Sequence, residues 1–137
     1  QVIASLNAKG IITFEFIQRM DYAYAAADII ISRAGASSVS ELALVAKPVI
    51  LVPSPNVAED HQTKNAFALV KKNAALLVTD ADARRDLFRI TSEVLNNEGL
   101  QKTLGENIRT VAFKNSAERI ASEVYRIVQD VKSQKNK

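Results

Sequence analysis

Three short apolar runs most constrain what this chain can fold into: Asp28-Ile-Ile-Ile-Ser32, Pro48-Val-Ile-Leu-Val52 and Ala74-Ala-Leu-Leu-Val78. A continuous apolar run without polar alternation marks a strand covered on both faces. The stretches between and after these runs have helical character. Asp21 to Ala27 is rich in alanine, which favours helix, and further helices are predicted over 38–45, 60–72, 83–96, 100–114 and 116–131. Ile11-Ile-Thr-Phe-Glu-Phe16 is β-branched and aromatic and reads as one more strand. Val2, Ile3 and Leu6 follow helical spacing ahead of Gly10, which suits a residue just past a helix end. Buried strands alternating with helices predict an α/β fold with a doubly wound, mostly parallel sheet.

At 137 residues the chain fits one domain with a real core. It opens at Gln1 in the middle of a pattern and reads as part of a longer protein. The net charge of +3 is mild, and the tail from Lys132 to Lys137 carries three of the 18 basic residues. Nucleic-acid binding would need a denser basic face with aromatics to stack on bases, so no nucleic-acid partner is expected. With no cysteine and one histidine, His61, thiolate and multi-histidine metal sites are excluded. No apolar run reaches the ~18 residues of a membrane span. In the last helix Ala117, Ile120, Ala121, Val124, Ile127, Val128 and Val131 recur at three- and four-residue steps. This apolar face is expected to dock on its own domain or on a neighbour.

Sheets of this type bind ligands beyond the carboxyl ends of their strands. That picks out the segments after Phe16, Ser32, Val52 and Val78. Ser32-Arg33-Ala34-Gly35-Ala36-Ser37-Ser38 joins a buried strand to a helix through small residues, and the N–H groups of a helix start favour an anion such as a diphosphate. Ser38-Val-Ser-Glu41 also matches a capping box, which would explain Ser38 and Glu41 with no ligand. Asp60-His61-Gln62-Thr63-Lys64-Asn65 opens the next helix after the proline-stiffened loop Pro53-Ser-Pro55-Asn56. Asp60 suits an N-cap, while Gln62 offers the donor and acceptor that read vicinal sugar hydroxyls; exposed polar residues there are equally explained as solvated surface. The sequence around His61 shows no recognised catalytic arrangement of Ser, Cys or Asp. Phe16-Ile17-Gln18-Arg19-Met20 suits either a flat base or core packing.

Taken in order, Phe-Ile-x-x-Met, Ser-Arg-x-Gly-Ala-x-Ser-x-Ser-Glu, Pro-Val-x-x-Val-Pro and Asp-His-Gln-Thr-x-Asn-Ala resemble the MurG family of GlcNAc transferases, over roughly residues 11 to 80. The resemblance implies a Rossmann-like domain, one half of a GT-B two-domain glycosyltransferase. It implies UDP-GlcNAc as donor and a lipid-linked muramyl-pentapeptide (lipid I) as acceptor, converted to lipid II with inversion. The backbone of Ile17 would read uracil, with Phe16 and Met20 beside it. Glu41 would accept from the ribose hydroxyls, and Gly35, Ala36, Ser37 and Ser38 would face the diphosphate. Gln62 would bind GlcNAc hydroxyls without touching phosphate or base, with His61 and Asn65 shaping that pocket. Arg33 would hold a phosphate or brace its turn.

No cofactor or metal is implied, since helix dipoles would stabilise the UDP leaving group and no Asp-x-Asp pair is present. Catalytic residues, acceptor binding and any peripheral membrane contact are expected outside this chain. The location implied is cytoplasmic, at the inner face of the bacterial plasma membrane. The rivals are another UDP-sugar transferase of the same fold, acting on glycolipid or dolichol-linked acceptors, and a non-catalytic nucleotide-sugar binding module.

Overall fold

The computed structural model describes residues 10–57 and 60–135. The elements run α1 (Met20–Ala26), β1 (Ile30–Ser32), α2 (Ala36–Val45), β2 (Val49–Leu51), α3 (His61–Val70), β3 (Leu76–Leu77), α4 (Ala83–Leu95), α5 (Glu98–Thr110) and α6 (Ser116–Lys135). The helix expected over the opening residues lies outside the described ones. The three apolar runs form one parallel sheet in the order β1-β2-β3, with Ile30 beside Val49 and Ile50 beside Leu76.

β2 is central, and its three residues are fully buried. Because side chains alternate across a strand, Val49 and Leu51 pack on Leu42 and Ala43 of α2 and Ala66 and Leu69 of α3. Ile50 points the other way, onto Val94 of α4 and Leu104 of α5, with Val52 and Val78. Helices thus cover both faces of β2, whereas Ile31 in β1, an edge strand of the described sheet, is 46% exposed, so the burial on both faces expected of all three runs is met in full by β2 alone. Burying each such side chain contributes roughly 1.5–3 kcal/mol. Helix α5 closes on the end of α2 through Gly105, where a Cβ would lie 2.9 Å from the carbonyl oxygen of Ala46.

One expectation fails, and of the two docking partners expected for the last helix its own domain drops out. Residues 11 to 16 form no strand: the segment is irregular and exposed, with Ile12 78% and Phe14 67% accessible. β-branched and aromatic residues favour strands by packing on a partnered, pleated surface, and among the described residues no strand pairs with this segment. Helix α6 does not dock on its own domain. Residues 113 to 133 are all exposed, including the apolar stripe of Ile120, Val124, Ile127, Val128 and Val131. The last residues packed on the core before it are Val111 and Ala112, after which the chain passes through Asn115 at φ 56. No helix among the described residues is long and apolar enough to cross a membrane.

Candidate functional site

The carboxyl ends of the three strands are stitched together by side chains from the segments singled out in the sequence. Arg33, just past β1, directs Nη1 at the carbonyl oxygens of Val52 (3.1 Å) and Pro53 (3.2 Å) and at Oδ1 of Asp80 (2.5 Å). One guanidinium therefore joins the loops after β1, β2 and β3. Both partners of the ion pair are about half exposed, so its Coulombic contribution is small. Its value lies in fixing three loops at one point. Of the two roles open for Arg33, this is the bracing one. Asp80 carries no sequence motif, and only its place after the third apolar run drew attention to it.

The turn after β1 is gripped from α3. Asn65 Nδ2 donates to the carbonyl of Ala34 (3.0 Å), and Gln62 Oε1 accepts from the N–H of Ala34 (3.3 Å) and of Ser54 (2.8 Å). Ala34 is fully buried, so its peptide groups need such partners. Gln62 consequently has a task the sequence did not suggest, holding the β1–α2 turn to the β2–α3 loop through its oxygen. Its Nε2 amide remains the group that can donate to a ligand. Asp60 stands at the N-cap position with φ 55, yet its side chain makes no cap bond. His61 follows at the exposed first position of α3.

Helix α2 begins at Ala36, two residues earlier than its sequence pattern suggests, with Gly35 as N-cap at φ −63 and ψ 150. No side chain caps it, and the N–H groups of Ala36, Ser37 and Ser38 meet no main-chain acceptor among the described residues. These three donors sit at the positive end of the helix dipole, an arrangement suited to an anion. The earlier start also removes the capping box, because Glu41 now lies in the second turn. Glu41 Oε2 instead accepts from the Tyr24 hydroxyl at 3.2 Å. Burial first, and Glu41 second, push the Tyr24 phenol above its ordinary pKa.

Phe16, Ile17 and Met20 are exposed, Phe16 by 78%, which excludes the core-packing reading of this segment. A hollow of about 610 Å³ opens here, lined by Phe14, Phe16, Ile17, Arg19 and Tyr22. Arg19 lies 3.9 Å above the Tyr22 ring and pairs with Asp21, which lowers the Asp21 pKa. The main-chain groups of Ile17 bond no other main chain among the described residues. Among those residues no group of three or more His, Asp or Glu side chains gathers to hold a metal.

A parallel sheet packed between helices, with strand-end loops converging on an uncapped helix start, defines a doubly wound α/β domain. The family model "Glycosyltransferase family 28 C-terminal domain" matches residues 1–124, and the chain belongs to that family. It is 57% identical over 114 residues to the UDP-N-acetylglucosamine--N-acetylmuramyl-(pentapeptide) pyrophosphoryl-undecaprenol N-acetylglucosamine transferase of Parabacteroides distasonis, covering 83% of this chain and 31% of the relative. The transferase of the same name from Cytophaga hutchinsonii is 52% identical over 122 residues, covering 89% and 33%. The crystal structure of Acinetobacter baumannii MurG superposes with a TM-score of 0.75 at 30% identity, over 82% of this chain and 33% of that one. The chain spans about a third of the length of the curated relatives it matches.

Proposed function

We propose that this chain is the donor-binding domain of a UDP-GlcNAc transferase that acts on a lipid-linked muramyl-pentapeptide. The observation that carries the reading is the uncapped start of α2, held in register by Gln62 and Asn65 on Ala34. The diphosphate lies over Gly35–Ser38, where the N–H groups meet charge that grows as UDP departs. Uracil lies against Phe16, Ile17 and Met20, the ribose at Glu41, and GlcNAc at the Nε2 amide of Gln62 beside His61 and Asn65. The acceptor, the general base and any peripheral contact with the inner face of the plasma membrane belong to the rest of the protein.

Calorimetry on the full-length protein tests the nucleotide assignment. UDP is expected to bind at least about ten times more tightly than ADP, a difference of about 1.4 kcal/mol. Equal affinities would remove the base-reading role from the segment between Phe16 and Met20.

A further inference from the structure

We propose that Tyr24 is a positioning residue that presents the Glu41 carboxylate to the ribose of the bound nucleotide. The inference rests on the ribose-reading role proposed above for Glu41. The two residues come from different helices, Tyr24 from α1 and Glu41 from α2, and their side chains meet at 3.2 Å. That separation is at the long end for an O–H···O bond.

The pair is asymmetric in a useful way. Tyr24 is half-buried, its ring packed against the cluster that contains Ala34 and Leu42, so its hydroxyl is held in place. Glu41 is exposed on α2, and its side chain makes no other hydrogen bond among the described residues. An untethered glutamate samples several rotamers, and fixing one on binding costs affinity. The Tyr24 bond selects a rotamer beforehand while occupying Oε2 alone. Oε1 is left to accept, together with the remaining lone-pair capacity of Oε2, and a carboxylate with that capacity suits a vicinal diol. Helix α1 also carries Met20 at its first position and begins three residues after Ile17. The bond therefore ties the helix that follows the base-facing segment to the ribose-facing side chain.

The test compares UDP with 2′,3′-dideoxy-UDP on the full-length protein, because only the first offers hydroxyls to Glu41. Tyr24→Phe keeps the packed ring and removes the donor. It should weaken UDP roughly three- to tenfold, the range for losing one pre-ordered side chain, and leave the dideoxy ligand unchanged. Equal losses for both ligands would make Tyr24 a packing residue and overturn the proposal, as would no loss for either. Glu41→Gln, measured alongside, should abolish most of the preference for UDP over the dideoxy ligand. If that preference survives in Glu41→Gln, the ribose assignment of Glu41 falls and this proposal falls with it. If it is lost in Glu41→Gln but untouched in Tyr24→Phe, the proposal for Tyr24 alone is overturned.

Discussion

Gln62→Ala in the full-length protein is expected to lower kcat/KM for UDP-GlcNAc by roughly a hundredfold or more, about 2.8 kcal/mol. Two separate losses combine in this change. The amide donor proposed for the sugar disappears, and the oxygen that holds the N–H groups of Ala34 and Ser54 disappears with it. A part-buried donor left without a partner costs about 1–3 kcal/mol, and the Ala34 peptide adjoins the turn proposed to receive the diphosphate. UDP binding should therefore weaken as well, though less than UDP-GlcNAc binding. The sequence alone suggested that UDP would be untouched, and the backbone bonds of Gln62 are the reason for the revision. Gln62→Glu separates the two tasks, since a carboxylate keeps the accepting oxygen and lacks the donor. Calorimetry should then show an excess loss of about tenfold for UDP-GlcNAc over UDP. Equal losses for the two ligands in Gln62→Glu would mean that the residue serves the loops and not the sugar.

Glu41→Gln should weaken UDP by roughly 1.5–3 kcal/mol, ten- to a hundredfold, as a charge-assisted hydrogen bond to the ribose is replaced by a neutral one. The fold should hardly notice. Glu41 caps no helix, since α2 starts at Ala36 without a side-chain cap, and glutamine retains an oxygen for Tyr24. Thermal melting should accordingly stay near that of the parent protein. A shifted melting temperature with unchanged UDP affinity would assign Glu41 to structure and remove it from the site.

How much of this could be read from residue order depends on what each feature physically needs. The strands 30–32, 49–51 and 76–77 were legible as unbroken apolar runs, but the burial on both faces that such runs suggest is met in full only by Val49, Ile50 and Leu51 of β2, while Ile31 of β1 is exposed. Helix placement followed from the intervening patterns to within a few residues. The start of α2 was misplaced because Ser38-Val-Ser-Glu41 imitates a cap, while the real boundary is set by Gly35 and bare backbone. The strand expected over 11–16 failed because strand character needs a partner that composition cannot report. Strand-end logic found the segments of the candidate site, and the resemblance suggested their roles. Neither showed how the side chains are used. That Gln62 and Asn65 clasp a single buried alanine, that Arg33 spans three loops to reach Asp80, or that Tyr24 meets Glu41 across 17 positions, are long-range facts without a local signature.

A crystal structure of the full-length protein with UDP-GlcNAc bound would test the donor-domain assignment most directly. The expected result places both ribose hydroxyls within about 3 Å of Glu41, an ordinary hydrogen-bond distance, the diphosphate over the N–H groups of Ala36–Ser38, and the sugar at Gln62 Nε2. A nucleotide bound away from the start of α2, or a ribose turned from Glu41 with the sugar out of reach of Gln62, would contradict it.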